Sequence, residues 1–279
     1  MKKLAVHLHL HYFEQLPEIL KYLQALNGVE YDLFVTMTQE DKDIAAQILT
    51  EHPCAQIWVV ENRGYDIGPF IEFLHRIDLN EYEYVLKLHT KGKKSGNYTH
   101  LNGFRMDNAL WGRILWESLL ASSALLQENL NILDTRKDAE MLGSKYCVTS
   151  ATQDYEKLLP GVNAALQKME LKEVQRLTFV AGAMFIVRTA ALKPLLAYQL
   201  SDFDLTDGRV KEGTLAHVME RIFGILGAPI IAIDHGNYRW KLFMMSINRF
   251  FWQKKVTKTG RTVIKIMKLP ICSIRIGDS

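Results

Sequence analysis

Apolar and polar positions follow two rhythms along the first third of the chain. Leu4 to Leu10 alternates aliphatic residues with histidines, as a strand does. Leu16, Ile19, Leu20, Leu23 and Leu26 then recur at helical spacing. Asp32 to Thr38 reads as a second strand. Ile44, Ile48 and Leu49 mark a second helix behind a start signal over Thr38 to Asp41. Residues 56–60, Gln-Ile-Trp-Val-Val, form a β-branched and aromatic run that reads as a buried third strand. Pro69, Phe70, Phe73, Leu74 and Ile77 follow at helical spacing, with proline where a first helical turn tolerates it. Glu83 to Leu88 is the fourth strand. This β-α-β-α-β-α-β order predicts an α/β fold with a mostly parallel sheet covered by helices on both faces.

Beyond residue 100 the pattern is helical from 105 to 130, with Leu110, Ile114, Leu115 and Leu119 on one side. Thr178 to Val187 reads as one strong strand. Thr189 to Tyr198 and Thr214 to Leu226 read as helices, and Pro229 to Ile233 as a last strand. There is no fixed-period repeat and no low-complexity linker. The simplest division is one domain over 1–240 and a basic, aromatic extension over 241–279.

Composition adds a charge asymmetry. The 34 basic and 31 acidic residues divide unevenly: nine and one fall from Lys241 onward, leaving 25 and 30 in the rest. The basic extension also holds Phe250, Phe251, Trp252, Ile264, Ile266 and Met267. Basic residues mixed with aromatics suggest peripheral contact with an anionic membrane surface; a solvated extension with one strand pair is the plainer alternative. The acidic main body argues against nucleic acid as a partner. Cys54, Cys147 and Cys272 are scattered and odd in number, which fits neither a disulfide framework nor a cysteine-rich zinc site and suggests a reducing, cytoplasmic setting. The start Met-Lys-Lys-Leu-Ala-Val-His begins like a signal peptide, but histidines interrupt its apolar region. The longest uncharged apolar run, Ile222 to Ile233, is too short to span a bilayer.

Residues 61–73 carry candidate chemistry: Glu-Asn-Arg-Gly-Tyr-Asp-Ile-Gly-Pro-Phe-Ile-Glu-Phe links a strand to a helix, where α/β proteins place ligands. Gly64 permits a sharp turn at positive φ, and Gly68 lets backbone approach a ligand. The helix beyond offers unpaired N–H groups to an anion. Arg63 suits a phosphate, whereas Asp66 suits sugar or ribose hydroxyls. Alternatively, Asp66 caps the helix and pairs with Arg63. A second stretch, 84–96, runs Tyr-Val-Leu-Lys-Leu-His-Thr-Lys-Gly-Lys-Lys-Ser-Gly. Lys87, His89 and Lys91 alternate onto one side of the strand, and in a parallel sheet its end lies beside the 61–73 loop. Three cationic or potentially cationic groups there suit a diphosphate; a solvated lysine loop is the alternative.

Several segments then occur in one order. They are Leu-Ala-Val-His-Leu-His-Leu-His-Tyr-Phe, Tyr-Asp-Leu-Phe-Val-Thr, Glu-Asn-Arg-Gly-Tyr-Asp-Ile-Gly-Pro-Phe, Val-Leu-Lys-Leu-His-Thr-Lys, Phe-Val-Ala-Gly-Ala-Met-Phe-Ile-Val-Arg and Ala-His-Val-Met-Glu-Arg. Together they resemble the rhamnan synthesis protein F family of bacterial polysaccharide glycosyltransferases, over roughly residues 4 to 240. The resemblance implies a GT-A-like fold, a dTDP- or UDP-sugar donor, and a glycan or polyprenyl-linked acceptor. It implies donor-binding positions at His9, Asn62, Arg63, Gly64, Asp66, Gly68, Lys87, His89, Lys91, His235 and Arg239. GT-A enzymes usually hold a divalent metal, Mg or Mn, through Asp-x-Asp at the end of the central strand. Here His89-Thr90-Lys91 stands in that place, so essential metal dependence is not expected; Asp202-Phe203-Asp204 is a chance match. An inverting transfer needs a base, and the position before the late helix points to Glu212, with Glu220 as the alternative. His217, three residues before Glu220, shares its helix face and is placed to orient the acceptor.

Two rivals remain at this level. His7, His9 and His11 on one strand face resemble the start of a hydrolase zinc site, with His89, His235 or Asp234 as further ligands. A glycan-binding module without catalysis is the other.

Overall fold

The computed structural model describes residues 2–92, 98–150, 155–175, 177–206, 213–236, 238–244, 252–256, 261–266 and 269–275. Four strands, β1 (Lys2–Leu10), β2 (Tyr31–Met37), β3 (Gln56–Val59) and β4 (Tyr82–His89), fall where the hydrophobic pattern places them. The pattern misses the hairpin β5 (Tyr98–Leu101) and β6 (Phe104–Asp107), and also β7 (Met141–Ser144) and β8 (Val148–Ser150). The later strands are β9 (Thr178–Val180), β10 (Phe185–Arg188) and β11 (Ile230–Ile233). The central sheet has seven strands in the order β11-β7-β10-β4-β1-β2-β3. Only β10 runs antiparallel to its neighbours. Leu4 to Leu10 of β1 is buried on both sides, so helices cover both faces.

The helices are α1 (Leu16–Leu23), α2 (Lys42–Glu51), α3 (Ile67–Arg76), α4 (Asn108–Leu120), α5 (Ser123–Thr135), α6 (Tyr155–Lys168) and α7 (Leu215–Leu226). α3 lies on β1 and β2 and against α7, through Phe70 and Phe223 with ring centroids 5.5 Å apart.

Three expectations are corrected. The helical stretch over 105–130 is two helices, because the Ser122 hydroxyl accepts the Leu125 N–H and starts a new one. The segment from Thr189 to Ala197 is 3₁₀-helical with Pro194 inside it, and proline cannot donate to an α-helical ladder. The apolar run Thr178 to Val187 is two strands: β9 pairs with β8 away from the central sheet, and β10 joins that sheet after a turn. Gly182 at φ 92° and Ala183 at φ 49° make the break. An unbroken apolar run carries no sign of it, since both strands are buried.

In the basic extension, β12 (Trp252–Val256), β13 (Arg261–Ile266) and β14 (Leu269–Arg275) form a separate three-stranded antiparallel sheet, one strand more than the strand pair considered. The side chains on which the expected lipid contact rests lie largely outside the described residues. Just before them, residues 239–244 are helical and expose Trp240, Phe243 and Met244. Among the described residues, no helix is long and apolar enough to cross a membrane.

Candidate active site

Side chains from the C-terminal ends of β1, β2 and β4 form one polar band. The register sets His7 beside Lys87 and His9 beside His89, with Thr36 of β2 beside His9. Strand alternation puts these residues on the face covered by α3. A cavity of about 440 Å³ opens at this edge, and His9, Asp66, His89, Lys91, Gly182 and Glu220 are among its lining residues. C-terminal strand edges are where open α/β sheets bind ligands.

The floor is an ion pair. Lys87 is fully buried; its ammonium donates to Asp66 Oδ2 at 2.5 Å and to the Ala183 carbonyl at 3.0 Å, over the rings of Phe70 and Phe223. Burial pushes the Asp66 carboxyl up, but His89 and Lys87 more than offset this and hold it well below the usual carboxylate range. Asp66 therefore neither caps α3 nor pairs with Arg63. Lys87 does not reach the cavity; it holds Asp66 from beneath. His89 Nε2–H donates to the Gly182 carbonyl at 2.7 Å, and that nitrogen is 3.7 Å from Asp66 Oδ2. Burial lowers His89 to about 4, opposed by the Asp66 carboxylate, and its Nδ1 lies 3.0 Å from the Thr90 carbonyl.

Lys91 is the cationic wall. Its ammonium sits 3.7 Å from the centroid of the Trp111 ring. Burial lowers its pKa, opposed by the charges of Asp66 and Glu220. Its backbone is fixed by the segment that follows β1: the Thr90 hydroxyl accepts the His11 and Tyr12 N–H groups at 3.0 and 3.1 Å, and Gln15 Nε2 donates to the Lys91 carbonyl at 2.7 Å. Glu220, also in the lining, accepts the Gly182 N–H at 2.7 Å and an Arg221 N–H at 2.5 Å. His217 also lines the cavity, its Nδ1 2.8 Å from the Thr214 hydroxyl.

The two loop glycines serve packing. Gly64, at φ 62°, faces Phe203, where an added Cβ would come within 2.6 Å of the ring; a Cβ on Gly68 would strike the Arg63 carbonyl oxygen. Neither glycine lines the cavity. Arg63 turns away, donating to Glu61 at 2.6 Å and to the Phe203 carbonyl at 2.9 Å. Arg63 and Lys91 thus do not converge on one cleft. Asn62 lines the cavity, and its backbone carbonyl accepts the Thr206 N–H. His235 and Arg239 do not line it. Glu212 lies outside the described residues. Asp202 pairs with Lys168 at 3.1 Å and has no part in the site.

The hydrolase alternative fails on His7. That ring is buried and stacked on Phe73 with centroids 4.7 Å apart, its Nε2 lies 3.0 Å from the Thr36 hydroxyl, and it does not line the cavity with His9 and His11. Among the described residues no three His, Cys, Asp or Glu side chains are grouped to hold an ion. The cavity's own carboxylates do not suit a divalent cation either: Asp66 is already paired with Lys87 and Glu220 with Arg221, and Lys91 adds a further ammonium.

Tyr65, Trp111, Gly182, Ala183 and Thr206 line the cavity and were not singled out from the sequence. Tyr65 stands at φ 58°, a strained position for a bulky residue and one often tied to function. Its position between Gly64 and Asp66 was the one signal available. Gly182 had none, being hidden in an apolar run.

Fold and cavity define the class: an α/β protein whose parallel strands end on an open cleft lined by Lys91, Asp66 and Glu220. The chain belongs to the rhamnan synthesis protein F family, whose model matches residues 1–229. It is similar to the uncharacterized protein WxcX of Xanthomonas campestris pv. campestris in two strains, 32% identical over 190 residues. That alignment covers 66% of this chain and 25% of the relative, so this chain corresponds to about a quarter of its length. Remote likenesses among solved structures include S. aureus TarS 1–349, with a TM-score of 0.44 and 12% identity over 84% of this chain and 58% of that one. Another is glucosyl-3-phosphoglycerate synthase from Mycobacterium tuberculosis in complex with Mn2+, UDP and glucosyl-3-phosphoglycerate. Its TM-score is 0.38 and its identity 10%, over 98% of this chain and 89% of that one.

Proposed function

We propose that this chain is a GT-A-like glycosyltransferase of bacterial polysaccharide synthesis, moving a sugar from a nucleoside-diphosphate donor to a hydroxyl of a glycan or polyprenyl-linked acceptor. Family membership supports the setting. The observation that carries the chemistry is Lys91, a half-buried ammonium over the Trp111 ring, lining a cavity in which both carboxylates are already matched by cations. Such a cleft favours an anion over a metal ion.

In this reading the donor diphosphate lies against Lys91, and Asp66, held ionised by Lys87, accepts hydrogen bonds from sugar or ribose hydroxyls. Glu220 takes the proton of the acceptor hydroxyl, and His217 orients the acceptor. The acceptor oxygen bonds to the anomeric carbon from the face opposite the leaving group as the bond to the diphosphate breaks, which inverts the centre. The departing electron pair stays on the diphosphate, where Lys91 neutralises the developing charge. Glu212 remains the alternative base. Rhamnose is the first donor sugar to test and galactofuranose the second, carried by dTDP or UDP. Trp240 and Phe243, exposed beside Arg239 and Lys241, are consistent with a chain resting on the inner face of a cell membrane.

Release of UDP or dTDP from a panel of nucleotide sugars, with and without EDTA, tests this directly. Turnover that survives EDTA is expected. No release from any donor, together with no affinity for either nucleoside diphosphate, would remove the proposal.

A further inference from the structure

We infer that His7 and Thr36 form a buried relay that locks His9 in its Nε2–H tautomer, so that the cavity presents a neutral N–H donor to a ligand oxygen. Three side chains from adjacent strands carry this. The Thr36 hydroxyl oxygen lies 3.0 Å from His7 Nε2 and 3.1 Å from His9 Nδ1. Among the described residues these two rings are the hydroxyl's only hydrogen-bond partners, so its one proton is satisfied when it donates to one ring and accepts from the other.

The two directions are not equivalent. His7 Nδ1 is buried without a hydrogen-bond partner, against Phe73 and Phe70. If Thr36 donated to His7, that nitrogen would have to carry a proton with no acceptor, and orphaned buried N–H groups are the rarer defect in proteins. The other direction leaves His7 Nδ1 bare: His7 Nε2–H donates to Thr36, and Thr36 donates to His9 Nδ1. The proton of neutral His9 then sits on Nε2. That nitrogen is turned away from Thr36, and His9 lines the cavity. A hydrogen bond to one ring nitrogen that selects the imidazole tautomer is a familiar device where the other nitrogen meets a ligand. His7 and Thr36 touch no ligand themselves; they position His9. The matching ligand chemistry is an oxygen acceptor, whether phosphate, carbonyl or hydroxyl.

The test is an imidazole long-range ¹H–¹⁵N correlation spectrum of the full chain labelled at histidine, with His9→Gln assigning the His9 signals. His9 is expected with a protonated Nε2 and a bare Nδ1. Thr36→Val, which keeps shape and removes the hydroxyl, is expected to give a mixture of tautomers, and Thr36→Ser to restore one. His7→Phe, which keeps the ring, is expected to raise the Nδ1–H fraction as well. A wild-type His9 with bare Nε2, or a tautomer unmoved in both Thr36→Val and His7→Phe, overturns the relay. Added UDP is expected to shift the His9 Nε2–H signal. UDP that binds without moving that signal overturns the assignment of the donor to the ligand. These spectra need no turnover, so the relay and the transferase proposal fail separately.

Discussion

Lys87 and Asp66 form a 2.5 Å ion pair beneath the cavity, with the lysine fully buried and the carboxylate at the surface of the cleft. The pair converts a cationic strand position into support for an anionic one. Removing one partner leaves the other charge uncompensated in a low-dielectric site. Lys87→Met is therefore expected to lower stability by about 3–5 kcal/mol. Lys87→Met combined with Asp66→Asn is expected to recover much of that, and urea denaturation of both reads the coupling directly.

Acid stability follows from the buried rings. Burial lowers His89 from 6.5 to about 4 and His9 from 6.5 to about 3, and lowers His7 as well. Between those values and 6.5 the unfolded chain binds more protons than the folded one, so stability rises with pH across this window and is lost as pH falls through it. Asp66, held below its ordinary 3.8, adds a loss of the same sign at still lower pH. Each of the two rings is worth on the order of 3–5 kcal/mol across the full window. Denaturation midpoints measured from pH 7 to 4 should fall steeply, and His89→Gln should flatten the slope.

Gly182 holds the turn that closes the cavity wall. At φ 92° an alanine is strained, and its Cβ would come within 2.6 Å of Leu115 and 3.2 Å of Lys91 Cε. Gly182→Ala is expected to displace Lys91 and cost about 1–3 kcal/mol. Calorimetric titration with UDP should show affinity lost while the thermal transition remains cooperative; unchanged affinity would mean that Lys91 is not held by this contact.

Glu220 and Glu212 can be separated by turnover. Glu220→Gln is expected to lower kcat by roughly 10²–10⁴-fold with donor affinity kept, the range for loss of a positioned proton acceptor. Glu212→Gln is expected to leave kcat within about tenfold of wild type. The reverse pattern would transfer the role to Glu212.

Lys91→Met removes the ammonium while keeping much of the stem against Trp111. Donor affinity and kcat are both expected to fall, since a charge facing the diphosphate acts in the ground state and grows in importance as the leaving group departs. A fall in the thermal midpoint without any change in UDP affinity would assign Lys91 to structure alone.

The strands that build the cleft were legible because their side chains obey short-range periodicity. β1, β2, β3 and β4 fall where alternation or apolar runs place them, and the β-α order alone implies a mostly parallel sheet. His89 and Lys91, which line the cavity, were legible as polar residues at and just beyond the end of β4, and Asp66 as an acid in a glycine-bearing strand-to-helix loop. Arg63 looked equivalent to Lys91 along the chain, yet Glu61 two residues away and the Phe203 carbonyl hold it outside the cavity. Gly64 and Gly68 looked like ligand-contact glycines, but Phe203 and the Arg63 carbonyl fill the space beside them.

Sequence by itself determined the α/β class, the strand ends that border the cavity, and the family, because alternation, turn residues and ordered motifs act over a few positions. Tertiary structure alone decided which charged groups face the cavity and which are paired away from it. Lys87 meets Asp66 across 21 positions, Gly182 meets Glu220 across 38, and His9 meets Thr36 across 27. Those pairings depend on strand register and on the break between β9 and β10, and no local pattern encodes either.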